Sequence, residues 1–345
     1  MTYHEELAIP RHFDPAKVGE VWRVPYQDLV EEAESWARDN NILPFHKDRF
    51  KLSLLLVDVQ NTFCIPGYEL FVQGESGMGA VEDNGRICEF IYRNLDIITD
   101  ISPTMDTHRA AHIFHGLFLV DKDGIHPPPF TTVSVQDIEN GVWKFNRELA
   151  PTLEITEEYG QEYLRHYVQQ LRESGKYDLT VWPYHAMLGG IGHALVSAVE
   201  ESVFFHNVAR RCQTGFRIKG SESLTEYYSV LCPEVLTGPQ GQAIAEKNQS
   251  FIDKLFKFDA VVIAGQAKSH CVAWTIDDLL KEIEHYDKGM AEKVYLLEDC
   301  SSPVVIPGVA DFSKQADEAY RRFADAGMHV VRSTDPLGQW PGIKL

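Results

Sequence analysis

The stretch Leu52-Ser-Leu-Leu-Leu-Val57, closing on Asp58, decides the fold class. A single serine among these residues leaves no polar face, so a strand here is buried on both sides, as strands of parallel sheets are. Short apolar runs recur downstream: Leu179–Trp182 before Pro183, Phe216–Ile218 before Lys219, Phe258–Ala264 before Gly265, Lys293–Leu297 before an acidic pair, and Met328–Val331. Helical spacing flanks them. Leu29, Ala33, Trp36 and Ala37 mark a helix over 26–40; Ile87, Ile91, Leu95 and Ile98 mark another; Ile276, Leu279, Leu280 and Ile283 mark a third. Strands alternating with helices predict an α/β fold, a three-layer α/β/α sandwich with a central, mostly parallel sheet. Residues 1–50 read as an N-terminal extension and 51–345 as one domain. The stretch 116–157 breaks the rhythm with Asp121-Lys-Asp-Gly and His126-Pro-Pro-Pro and reads as a long inserted loop. A loop of that length serves as a lid or binding segment, or as surface decoration or a subunit contact.

Composition narrows the partners. Acidic side chains outnumber basic ones 51 to 32, a net charge of −19, which repels phosphate backbones and excludes nucleic acid as the main partner. With 44% hydrophobic and 24% charged residues, the 345-residue chain has enough apolar material for a core. No apolar run reaches the ~20 residues that span a bilayer, so no membrane role is expected. The opening MTYHEELAIPRHFD lacks a basic-then-apolar leader. The six cysteines are scattered without a CxxC pair, which suits a reducing, cytoplasmic setting.

In open α/β sheets, ligands bind beyond the carboxyl ends of the strands. That rule gathers Asp58, Lys219 and Cys271 from distant parts of the chain. Singly, each has a plain structural use, and a lone cysteine is usually an inert small hydrophobe. The setting of Cys271 differs: Gly265-Gln-Ala-Lys-Ser-His-Cys271 is a strand-to-helix turn, and a thiolate at a helix N-terminus is stabilised by free N–H groups and the helix dipole. Base, ammonium and thiol together make a nucleophilic set. A second cluster is Thr104-Met-Asp-Thr-His-Arg-Ala-Ala-His-Ile-Phe-His115. Asp106 and His108 alternate in an extended segment and share a side. They supply half of a divalent-metal site, with His185 after another expected strand as the best further donor. Spacing alone leaves metal binding open.

These motifs, in this order, resemble those of the isochorismatase-like cysteine hydrolases, and within them the nicotinamidases and related amidases. Asp58-Val-Gln-Asn-Thr-Phe63 is similar to their first-strand motif, and Asp106-Thr-His-Arg-Ala-Ala-His112 to D-W-H-P-x-x-H. Trp182-Pro-Tyr-His185 resembles W-P-x-H-C, Lys219-Gly220 with Tyr228-Ser229 the lysine motif, and Gly265–Val272 the nucleophile motif G-x-A-T-D-x-C-V. The resemblance spans about 52–332. It implies Cys271 as nucleophile, Asp58 as general base and Lys219 as third member of a triad. It implies oxyanion-hole N–H groups from Ala267 and Cys271, with a cis peptide before Ala267. It implies Phe63 and Trp182 around the substrate ring, and a divalent metal on Asp106, His108 and His185. His112 matches a further position that ligates in some relatives. Zinc is the first choice of metal, with iron or manganese as alternatives. Lys268 and Ser269 replace the usual Thr-Asp, and the loop they sit in needs other support. The expected activity is metal-assisted cleavage of a small-molecule amide, nicotinamide or a similar aromatic carboxamide, through a thioester, by a homo-oligomer. The alternatives are a related hydrolase of a non-pyridine amide or carbamoyl compound, and a catalytically weak family member with a binding role.

Overall fold

Leu52, Leu54 and Leu56 face one apolar cluster while Leu55 and Val57 face another. That division defines the middle layer of the computed structural model, which describes residues 5–306, 308 and 310–345. The sheet consists of β1 (Leu52–Val57), β2 (Ile98–Asp106), β3 (Arg217–Lys219), β4 (Ala260–Gly265), β5 (Val294–Leu297) and β6 (His329–Val331). Its order is β6-β5-β4-β1-β2-β3, and every pairing is parallel. The same two-residue alternation splits β4: Ala260, Val262 and Ala264 join the first cluster, Val261 and Ile263 the second. Each face is therefore covered by helices, as a parallel sheet requires. Helices α1 (Tyr26–Asp39), α2 (Gly79–Arg93) and α3 (Ser197–Arg210) lie over one face, and α4 (Ala273–Tyr286) and α5 (Ser313–Asp325) over the other.

The structure departs from the sequence reading in two strands. Ile98 opens β2 and does not continue the helix before it, which ends at Arg93. The polar residues of β2 hide the strand in the sequence, but each has a partner: Thr99 donates to Asp48, Ser102 to Asp100, and Thr104 to Asp58. The expected strand at Leu179–Trp182 lies outside the central sheet. Its Leu179–Thr180 portion pairs antiparallel with Thr132–Val133.

The stretch 116–157 is folded and not an irregular loop. Leu119–Val120 pairs with Lys144–Phe145, and Val135–Glu139 forms a helix capped by Ser134. Its apolar residues, Phe118, Leu119, Val133, Ile138 and Phe145, pack on the helix Glu157–Glu173. Gly160 of that helix makes room for the Phe145 ring; a Cβ there would come within 2.3 Å of it. Residues 5–50 are equally built in, since Phe13, Val18, Val24, Leu29 and Ala33 are buried in the first cluster. No helix among the described residues is long and apolar enough to cross a membrane.

Burial of the N-terminal segment predicts that it belongs to the cooperative unit. Leu29→Ala should destabilise the protein by about 2–5 kcal/mol, the usual cost of truncating a buried leucine. Urea unfolding checks this, and a change within about 0.5 kcal/mol, the range of ordinary surface substitutions, would place the segment outside the unit.

Candidate active site

Four neighbouring strands end in one place. Asp106 closes β2 and pairs in register with Lys219 at the end of β3, while Val57 at the end of β1 pairs with Gly265 at the end of β4. The chain leaves β1 toward β2 on one side and returns with β4 on the other, so the crevice between β1 and β4 is the switch point where such sheets bind ligands. Asp58 follows β1 directly, at φ +47°, and its backbone N–H donates to Thr104 Oγ1 at 2.9 Å. Gly265, at φ +115°, permits the turn after β4, where any Cβ would lie 2.1 Å from Val57 O. The Gln266–Ala267 peptide is cis, as the motif resemblance implied. A π-type turn over Lys268–Val272 then places Cys271 at the entrance to α4.

Lys219 Nζ sits 2.9 Å from Asp58 Oδ2, 2.9 Å from Asp106 Oδ1 and 3.6 Å from Cys271 Sγ, and donates to Tyr227 O at 2.8 Å. All of these side chains are buried. Burial lowers an ammonium's pKa, yet the two carboxylates outweigh it and hold Lys219 well above its ordinary value. Burial raises the Asp58 carboxyl against the pull of Lys219. Burial also pushes the Cys271 thiol well up, with Lys219 pulling it down and Asp58 and Asp106 opposing. Burial therefore disfavours the thiolate, while the carboxylates favour the ammonium.

Beside this group lie the histidines. The Nδ1 of His108 is 3.2 Å from His185 O, that of His185 is 2.8 Å from Pro183 O, and that of His115 is 3.1 Å from Arg109 O. A carbonyl only accepts, so each Nδ1 carries the proton and each Nε2 keeps its lone pair. Fixing the tautomer this way is how metal-ligating histidines are oriented. The ligating atoms of His108, His115 and His185 all lie within 4.8 Å of one another, and the Nε2 atoms of His108 and His115 are buried with no hydrogen-bond partner. Asp106 Oδ1 is 3.1 Å from His108 Nε2, and its Oδ2 is 3.7 Å from His185 Nε2. Facing lone pairs at that range call for a cation between them. Burial drives His108 down to about 4, so a proton does not fill the role at neutral pH. The donor set fits a divalent ion.

Asp106, His108 and His185 therefore come together as the sequence suggested. His112 does not join them, because its Nε2 accepts the Arg109 N–H at 3.3 Å. His115 takes the place beside the other two histidines. It stood in the same histidine-rich stretch, but only the turn between residues 109 and 115 reveals which of the two rings faces inward.

A cavity of about 320 Å³ opens onto this floor. Phe63, Trp182, Ala267 and Cys271 line it, with Asp106 and His185 at one corner. Other lining residues escaped sequence reasoning: Phe130 comes from the folded insert, and Glu226 presents a carboxyl that burial raises to about 8. Tyr228, which stood in the lysine motif without a role, accepts from the Trp182 indole at 3.1 Å. Nothing in the local sequence of Phe130 or Glu226 marks it as converging.

Comparison with known proteins follows the geometry. No family model and no curated protein matches the sequence. Solved structures do match. The Acinetobacter baumanii nicotinamidase–pyrazinamidase is 18% identical, with 84% of this chain and 100% of that one covered and a TM-score of 0.49. The yeast nicotinamidase bound to the inhibitor nicotinaldehyde is 19% identical over 81% of this chain and 99% of that one, with a TM-score of 0.49. Pyrazinamidase of Pyrococcus horikoshii in complex with zinc is 18% identical over 81% and 98%, with a TM-score of 0.44. The chain's structural neighbours are nicotinamidases, pyrazinamidases and isochorismatase-like hydrolases. The likeness is one of fold.

The histidine geometry separates two neighbouring side chains. Elemental analysis of purified protein should show a bound divalent metal that His108→Ala, His115→Ala or His185→Ala depletes by about 10–100-fold in affinity or more, while His112→Ala retains it. Loss of metal in the His112 variant with retention in the His115 variant would reverse the assignment.

Proposed function

We propose that the protein is a cysteine amidohydrolase of the isochorismatase-like type, in the nicotinamidase branch, cleaving an aromatic carboxamide to acid and ammonia. The observation that carries this reading is the buried contact set in which Lys219 Nζ lies 2.9 Å from Asp58 and 3.6 Å from Cys271 at the floor of the cavity.

Each residue then has a chemical task. Asp58 accepts the thiol proton, and burial raises its carboxyl and so makes it a stronger base. The Cys271 thiolate forms as the substrate carbonyl arrives, with Lys219 and the start of α4 holding its charge. Attack on the carbonyl carbon forms the C–S bond and moves the carbonyl electron pair onto oxygen, where the Ala267 and Cys271 N–H groups receive it. Collapse breaks the C–N bond, and the departing nitrogen takes its proton from Asp58, so ammonia leaves. Water then gives its proton to Asp58 and attacks the thioester, and the acid departs as the proton returns to sulfur. Phe63 and Trp182 hold the ring. A divalent ion on Asp106, His108, His115 and His185 would supply Lewis acidity for a ring nitrogen or for the hydrolytic water.

Ammonia release from nicotinamide and benzamide tests the reading. Cys271→Ala should lower turnover by at least ~10³-fold, the scale seen when a nucleophile is removed. Asp58→Asn should cost about 10²–10⁴-fold, the usual contribution of a general base. Near-normal turnover in the Cys271 variant would eliminate the thiol mechanism.

A further inference from the structure

The cavity is large for a one-ring amide. At about 320 Å³ it falls in the range that encloses drug-sized ligands, roughly 300–1,000 Å³. It has the room of about ten waters at ~30 Å³ each, and a single aromatic carboxamide leaves most of that unfilled. The reacting end is fixed by Cys271 and Ala267, so the unfilled part lies away from the sulfur.

The lining there is mostly apolar and comes from segments outside the sheet, with Glu69 and Gln73 as polar members. Leu70 and Phe71 come from the turn after β1, Phe130 from the folded insert, and Val304 from the segment after β5. Phe130 meets Trp182 edge-on, ring centroids 6.1 Å apart at 89°, making a corner that accepts a flat group. Several of the polar groups in the lining are already engaged, among them Glu69, whose Oε2 accepts from the Thr62 hydroxyl at 2.9 Å. Glu226 Oε1 accepts the Tyr227 N–H at 2.9 Å, the Trp182 N–H donates to Tyr228, and His270 Nδ1 bonds Ser269 Oγ at 2.9 Å. A polar extension would find few free partners, whereas an apolar one exchanges poorly held water for contact.

We infer that the substrate of this site is an aromatic amide whose apolar body extends beyond a single ring, its distal part lying between Phe130, Leu70 and Val304. The inference rests on the amidase reading for the reacting group and on the cavity alone for size. Phe130 is then a specificity-determining residue supplied by the insert.

Benzamide, 2-naphthamide and biphenyl-4-carboxamide form the probe series. Calorimetric binding to Cys271→Ala protein reads the pocket without turnover. One of the two-ring amides should bind at least ~tenfold more tightly than benzamide, since single methylenes in apolar pockets already discriminate by 10–200-fold. Kcat/KM for ammonia release by the wild type should follow the same order. In Phe130→Ala the ratio of two-ring to one-ring binding should fall toward unity. Should that variant fail to fold, the corresponding carboxylic acids bound to wild-type protein give the ranking. Equal or weaker binding of both two-ring amides overturns the inference, whatever the turnover. Tight two-ring binding without Cys271-dependent ammonia release would instead overturn the amidase reading and leave the size inference standing.

Discussion

Lys219 Nζ touches a carboxylate oxygen of Asp58 and one of Asp106, each at 2.9 Å, with all three groups shut off from water. Taking such charges out of water costs several kcal/mol per ion, and attraction offsets it only where geometry is tight and the remaining donors are used. Here they are used: the third direction of the ammonium meets Tyr227 O and the Cys271 sulfur. The constraint also explains β3. That strand is three residues long at the sheet edge, with Ile218 exposed, and it buries little apolar surface. Its register, Asp106 against Lys219, is what sets the ammonium between the two acids. One ammonium against two carboxylates leaves a negative surplus, and the adjacent lone pairs of the histidines add to it. A divalent ion would answer both, so in the proposed reading Asp58, Lys219 and the histidine cluster share one charge balance.

The legible parts of the sequence were those where a two-residue period coincides with full burial. β1 and β4 are near-continuous apolar runs because both their faces are covered, and the residues at their ends mark the crevice. β2 was not legible. Its Thr99, Ser102 and Thr104 interrupt any apolar run, yet each hydroxyl has a partner: Asp48 for Thr99, Asp100 two residues away for Ser102, and Asp58 for Thr104. Similarly, Asp58, Lys219 and Cys271 could be named from motif order, since each stands at a strand end. The choice between His112 and His115 could not, because it depends on which ring nitrogen the Arg109 N–H occupies.

The folded insert escaped detection for a related reason. Its buried apolar residues lie singly on two-residue strands and short helical turns, too short for any period to show, and they are buried by the helix Glu157–Glu173 as well as by one another. The same helix end leads toward Leu179–Thr180 and then to Trp182 and His185. The insert thereby fixes the wall and the metal-side histidine together, through the Phe130 N–H to Val181 O bond at 2.6 Å.

The loop that carries Cys271 is braced through Lys268, Ser269 and Gln266. Lys268 reaches Asp317 of α5 at 3.1 Å and lies over the Tyr320 ring, which anchors the loop to a helix on the second face. Ser269 Oγ accepts the Val304 N–H at 3.0 Å, and the Lys268 N–H donates to Ser302 O at 2.8 Å. On the other side Gln266 donates to the buried Asp83 at 2.8 Å, itself paired with Arg86. Support for the loop therefore comes from the segment 301–304 and from α5. Since Val304 also walls the cavity, the position of the thiol and the width of the pocket are set by one hydrogen-bonded unit.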